Sequence, residues 1–389
     1  MSATIEAVTS QRIRIESIDV VRGAVMVLMA LDHVRDFFRT PGVNPTDLAQ
    51  TTIPYFFMRW ITHFCAPVFF LLTGTGAYLS LRKKSKRELS RFLLTRGLWL
   101  IFLELVVVRC FGWAFNFNYH FTMVQVLWTL GWAMIVLSAL VYLPASAVTT
   151  FGVVMVAGHN LLDNVQSRNW FWSILHVPNL LVSTPRVVVV DAYPLIPWIG
   201  VTAVGYGLGQ IYRWPTDRRK AFLLRTGLAV TAGFILLRVV NLYGDPVRWN
   251  SQKSAAFTVL SFLNTTKYPP SLLYLLMTLG PALLFLWATD GKTPGWLRPV
   301  LIVGKVPLFY YLVHIPLIHL LAVAVSYARY GQVRWLLEAP FFFQQPPGWG
   351  YSVPVIYLLW ICVVLALYPL CWWFADLKQR SSDRWLSYL

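Results

Sequence analysis

"SIDVVRGAVMVLMALDHVRDFF", residues Ser17–Phe38, is the stretch on which the fold turns. A helix of this length rises about 33 Å at 1.5 Å per residue, close to the thickness of a bilayer's hydrocarbon core. Its charge gathers at the two ends, with Asp19 and Arg22 at one and Asp32, His33, Arg35 and Asp36 at the other. Counted from Ile18, His33 lies about 22 Å along the axis, in the outer third of a membrane. Ionisable groups at that depth are costly and as a rule face a site, so Asp32 and His33 read as functional. Asp32 and Arg35, like His33 and Asp36, are three apart and share a face, which lets Asp36 orient the imidazole. Arg35, Asp36 and Arg39 otherwise read as a helix end reaching water. Asp19 and Arg22 read as a structural ion pair beside Gly23, whose missing side chain permits close helix packing.

The rest of the chain has the same character. Its 389 residues are 57% hydrophobic and 13% charged, with 18 Trp and 25 Phe, more than one soluble core of this length needs. The net charge is +17. In a soluble protein such an excess would point to nucleic acid; here it sits mostly between apolar runs, where it sets topology and attracts anionic headgroups or cofactors. Cys65, Cys110, Cys362 and Cys371 lie in or at the edge of apolar runs without a CxxC pair, so neither a disulfide framework nor a metal is expected. No cleavable signal is read in Met1–Glu16.

At about 20 apolar residues per crossing, the runs are 18–38, 56–81, 89–111, 123–143, 145–161, 195–212, 221–242, 271–289, 306–328 and 353–374. The expected fold is therefore an all-α, polytopic membrane bundle of about ten helices. Residues 255–263 are too short to cross and read as interfacial. Arg12, Arg14, Arg82–Arg87, Arg213–Lys220, Lys292, Arg298, Lys305, Lys378, Arg380 and Arg384 then fall on one side, the cytoplasm by the positive-inside rule. Both termini lie there, giving a tail over 1–16, one membrane domain over 17–376 and a tail over 377–389. The long connections 39–55, 162–194, 243–270 and 329–352 fall on the other side and could shape a substrate mouth.

Further polar residues need a reason. His63, in "RWITHFCAPVFFLLTGTG", reaches the same depth as His33 from the opposite direction, while Gly74 and Gly76 suit helix packing. Arg87, Arg91 and Arg96 line the entry to the third run, where guanidinium forks would grip phosphate, although basic helix ends also arise from topology alone. Glu104, two turns beyond Arg96, could pair with it. In "GKVPLFYYLVHIPLIHLLA", Tyr310 and His314 are four apart and co-facial; His314 and His319, about 140° apart, are not a zinc pair. Both histidines are as readily core residues as catalytic ones. Lys267, in "NTTKYPPS", could hold an acidic substrate group or cap the boundary. Signatures of P-loops, α/β-hydrolases and zinc proteases are missing from the sequence.

"SIDVVRGAVMVLMALDH" resembles the opening helix of the heparan-α-glucosaminide N-acetyltransferase-like family within the transmembrane acyltransferase superfamily, with Arg22, Gly23 and His33 at the motif positions. "APVFFLLTGTGAYLS", "YPLIPWIGVTAVGYGLG", "NTTKYPPSLLYLLMTLGP" and "GKVPLFYYLVHIPLIHLLA" resemble later blocks of its bacterial branch, so the likeness runs from about Arg14 to Phe374. It implies transfer of an acyl group, acetyl in the first instance, from cytoplasmic acyl-CoA to a hydroxyl or amine at the outer face of a bacterial inner membrane. Arg87, Arg91 and Arg96 would grip the CoA. Lys267, Tyr310 and His314 are the expected acceptor-side residues. His33, with Asp32, and His63 are the candidates for base, acyl carrier or binding residue, since imidazole titrates near neutrality. The expected partners are the lipid bilayer, a glycan or lipid-linked acceptor, and, allowed but not required, a second copy in a homodimer; no nucleic acid is expected. The alternative is a proton-coupled transporter or lipid-linked flippase, in which the same buried Asp and His would relay protons.

Overall fold

The computed structural model describes residues 15–165, 167, 169–291, 293–338, 344–381, 383 and 386. The tail before Ile15, with Arg12 and Arg14, lies outside them, as do Lys292 and Arg384. One apolar core runs from Ile18 to Leu386. The elements are α1 (Glu16–Phe38), α2 (Ile53–Ile61), α3 (Cys65–Ser80), α4 (Lys86–Phe102), β1 (Phe121–Val124), α5 (Val126–Leu140), α6 (Ala145–Gly158), α7 (Trp170–Leu175), β2 (Asn179–Ser183), β3 (Val188–Asp191), α8 (Leu195–Leu208), α9 (Thr216–Val240), α10 (Ala255–Leu263), α11 (Leu272–Thr289), α12 (Arg298–Lys305), α13 (Pro307–Tyr330), α14 (Arg334–Leu337) and α15 (Val353–Arg380).

Among the described residues six helical segments are long and apolar enough to cross a membrane: Ile53–Ser80, Ala145–Leu162, α9, α11, α13 and α15. The first and α11 are each 61% buried along the apolar window and stand inside the bundle; α15, at 17%, and α9, at 22%, stand at its edge. Their outward faces carry Leu236, Val239, Leu365, Trp372 and Trp373, the surface expected to meet acyl chains. The other four expected crossings fall on α1, α4, α5 and α8, which by length and apolar composition are not among the six.

α1 is the axis of the molecule. Fifteen of its 23 residues are buried although six are charged, and it packs on α3, α11, α12, α13 and α15. A Cβ on Gly23 would overlap the Val300 carbonyl oxygen of α12, and one on Gly304 would overlap the Asp19 carbonyl, so the two backbones touch. Asp19 and Arg22 form the expected ion pair at 3.0 Å. Gly74 plays the same packing role between α3 and α8, where a Cβ would overlap the Thr202 carbonyl. Gly76 does not: a Cβ there would meet nothing within 4 Å.

Two findings depart from the expected architecture. Residues 123–143 are not one helix, because Phe121–Val124 is a strand parallel to Val188–Asp191, with Asn179–Ser183 antiparallel on the far edge. A three-stranded sheet therefore interrupts the otherwise helical bundle. The second departure is a π-helical stretch, Leu103–Trp113, that continues α4. Side chains take carbonyls along this widened ladder: Tyr119 donates to Leu105 O at 3.1 Å, and His319 Nδ1 lies 2.7 Å from Gly112 O. Arg109 then ties the stretch into β1, donating to Phe121 O at 3.0 Å and to Asn116 Oδ1 at 3.2 Å. The Glu104 carboxylate accepts the Leu127 N–H at the open N-terminus of α5, a capping role.

Candidate active site

The outer half of α1 carries two different constellations on adjacent residues. Asp32 accepts from Arg59 at 2.6 and 2.7 Å and from the Thr62 hydroxyl at 2.7 Å, and pairs with Arg35 at 2.7 Å. Arg59 and Thr62 arrive from α2 and the 3-10 turn that follows it. Arg35 also reaches Asp36 at 2.6 Å and is only 4% exposed. It is thus an interior residue, not a helix end in water, held by Asp32 one turn before it and by Asp36 next to it in sequence. Lys267 is buried and acts electrostatically on Asp32 and His63 from the segment before α11. Three cations, Arg35, Arg59 and Lys267, thus face two carboxylates, Asp32 and Asp36. Opposite charges this close, out of water, lock one another in place.

His33 faces the other way. Its Nδ1 lies 3.7 Å from Asp36 Oδ2 and is buried without a hydrogen-bond partner. Its ring centre is 5.1 Å from that of His314 on α13 and 5.1 Å from Trp113, edge-on, at the end of the π-helical stretch. His314 Nδ1 is 2.7 Å from the Tyr311 carbonyl and 3.1 Å from that of Tyr310. A carbonyl only accepts, so Nδ1 carries the hydrogen and Nε2 keeps its lone pair. That Nε2 is buried and unpartnered. Tyr310 stacks on the imidazole at 5.5 Å, and its own hydroxyl is buried without a partner. Of the expected residues, then, the structure brings His33, His314 and Tyr310 into one group.

His63 sits apart from that group. It is 2% exposed, packs edge-on against Tyr274 at 5.4 Å, and its carbonyl accepts the Tyr274 hydroxyl at 2.7 Å. His319 is held between the carbonyls of Gly112 and Leu336 and stacks on Phe115 at 4.0 Å, the geometry of a core histidine. Arg87 and Arg91 are exposed on the first turns of α4, which a Ser85–Glu88 capping box opens; Arg96 is half-buried. Arg96 and Trp113 stand 17 positions apart on α4 and its π-helical continuation. The cationic end and Trp113, which packs on His33, are therefore two ends of one continuous helical stretch. Arg59 was not read from the sequence, although it lies one turn before His63 in the quoted stretch.

A His–His pair, one ring fully buried and the other nearly so, lies beside a cation-rich cluster inside a bundle of apolar helices, as in the interior of an integral membrane protein. Residues 14–237, more than half of the chain, match the family described as heparan-alpha-glucosaminide N-acetyltransferase, catalytic, and the chain belongs to that family. The match takes in His33, Arg59 and His63; Lys267, Tyr310 and His314 come from beyond it. A comparison with curated proteins gives no match.

Proposed function

We propose that the protein is a membrane acyltransferase that moves an acetyl group from cytoplasmic acetyl-CoA to an amine or hydroxyl of a glycan or lipid-linked sugar at the opposite face. The observation that carries this reading is the pairing of His33 with His314, whose rings stand 5.1 Å apart and of which the His314 Nε2 is buried without a partner. His33 is the base: with Asp36 beside Nδ1, its Nε2 takes the acceptor's N–H or O–H proton. The acceptor's lone pair forms the new bond to the thioester carbonyl carbon as the C–S bond breaks. The sulfur departs as the CoA thiol, taking the proton back. His314 and Tyr310 position the acceptor, and the surplus positive charge of Arg35, Arg59 and Lys267 favours charge growing on the thioester oxygen. Arg87 and Arg91 fit a phosphate-bearing donor because their forks are exposed, with Arg96 further in. Ten crossings with both termini on the cytoplasmic side belong to the same proposal, resting on the basic residues between the helices.

The purified protein tests it with acetyl-CoA as probe, reading thiol release and thermal stabilisation. His33→Ala should slow release by about 10²- to 10⁴-fold but keep the stabilisation; Arg87→Ala combined with Arg91→Ala should lose the stabilisation. If acetyl-CoA neither stabilises the protein nor is cleaved, while a proton gradient drives solute uptake into proteoliposomes, the molecule is a transporter instead.

A further inference from the structure

We propose a divalent transition-metal site, of zinc type, built from His159, Asp163 and His176 and separate from the His33 group. His159 and Asp163 lie on the one-turn extension of α6, and His176 ends α7. One ligand atom from each lies within 4.8 Å of the other two. His159 Nδ1 and His176 Nε2 are 3.4 Å apart, and His176 Nε2 is 3.8 Å from Asp163 Oδ1. Tetrahedral ligands about 2.05 Å from zinc are separated by about 3.3 Å, so the imidazole pair already stands on one edge of such a tetrahedron. The carboxylate needs only a small swing to complete a face. The carbonyl oxygen of His159, 3.0 Å from His176 Nε2, offers a fourth donor.

Neighbouring groups hold the carboxylate and one of the two rings in place. Asn160 Nδ2 donates to the other carboxylate oxygen, Asp163 Oδ2, at 2.8 Å, while Asn160 Oδ1 accepts the Leu272 N–H at 2.8 Å. Trp172 stacks on His176 at 5.3 Å and fixes the plane of its ring. Both imidazoles are at most 2% exposed, and the carboxylate side is partly open, the direction from which an ion would enter. Two neutral imidazoles and one carboxylate are borderline nitrogen and oxygen donors, suited to zinc and poorly suited to calcium or magnesium. In the metal-free protein His176 Nε2–H donates to the His159 carbonyl; binding moves that hydrogen to Nδ1, whose lone pair is otherwise unpartnered. An ion here would clip the end of α6 to α7 beside the start of α11.

The test uses the full chain in detergent, stripped with EDTA and titrated with zinc chloride, reading bound metal per chain by calorimetry and the thermal midpoint. One zinc per chain and a higher midpoint are expected, with affinity at least a hundredfold lower in His176→Gln. Asn160→Ala, which touches no ligand atom on the ion, should weaken binding by about 10- to 100-fold. Cobalt in place of zinc should give the visible bands of a tetrahedral nitrogen–oxygen site without a thiolate charge-transfer band. The metal-free midpoint of each variant tells lost binding from lost folding; if His176→Gln does not fold, Asp163→Asn replaces it. Failure of the wild type to bind zinc, or undiminished affinity in these variants, overturns the site.

Discussion

Asp32 and His33 are neighbours in sequence with opposite work. Asp32 is saturated by two guanidiniums and a hydroxyl, so it orders α2 against α1, whereas the His33 Nδ1 is buried without a hydrogen-bond partner, as the proposed base requires of a ring not tied up in structure. His33→Ala should cost about 10²- to 10⁴-fold in acetyl transfer, the usual worth of a positioned base, with the thermal midpoint little changed. Arg59→Ala should do the reverse first: it removes one of the two guanidiniums from Asp32 and leaves Arg35 and Thr62 to hold it, so the cost stays below the roughly 3–5 kcal/mol of a fully broken buried pair and is read as a lower thermal midpoint. The two variants thus separate the roles that adjacency conceals. Arg59 escaped notice because a basic residue near a helix end reads as topology; only Asp32, 27 positions away, reveals its partner.

Elements that meet backbone to backbone tolerate no side chain at the crossing. Gly23→Leu should prevent α1 from seating on α12 and remove folded protein from detergent extracts, measured by size-exclusion chromatography. Gly76→Ala, one site over open space, should be neutral or stabilising by up to about 1 kcal/mol, alanine's advantage over glycine within a helix. The long apolar helices were legible because 20 apolar residues in a row have few other uses. The helix Arg298–Lys305 was not, since eight residues carry too little pattern to separate from a loop. Strand β1 was hidden for another reason: its partner lies more than 60 positions downstream, and no local period records such a pairing.

At the scale of the whole molecule, the sheet gives the end of the bundle a pH response. Asp191 closes β3, accepts the Tyr193 N–H at 2.9 Å, and leaves Oδ2 buried without a partner. Burial pushes its carboxyl up to about 7 from an ordinary 3.8. A raised acid pKa means the folded state holds the proton more tightly, so its stabilising contribution is full below pH 4 and is lost as pH rises towards 7. Hydrogen exchange of residues 179–191 should therefore be slower at pH 5 than at pH 8 after correction for intrinsic rates, and Asp191→Asn should remove that difference. The candidate site was half legible. His33 stood out by depth in a membrane helix, but its closeness to His314, 281 positions later, depends on how α13 docks against α1.

The π-helical stretch between Arg96 and Trp113 has a consequence for how the chain can change length. A helix closing i→i+5 holds close to one more residue per turn than an α-helix, so Leu103–Trp113 stores slack. Deleting one residue within it, such as Val107, can be absorbed by tightening to α geometry, with Trp113 still facing His33. Deleting Leu98 from the regular part of α4 has no such reserve and swings everything upstream or downstream by about 100°. The distance and angle between the cationic end and the imidazole pair are thereby adjustable at one place in this helix and fixed in the regular turns before it.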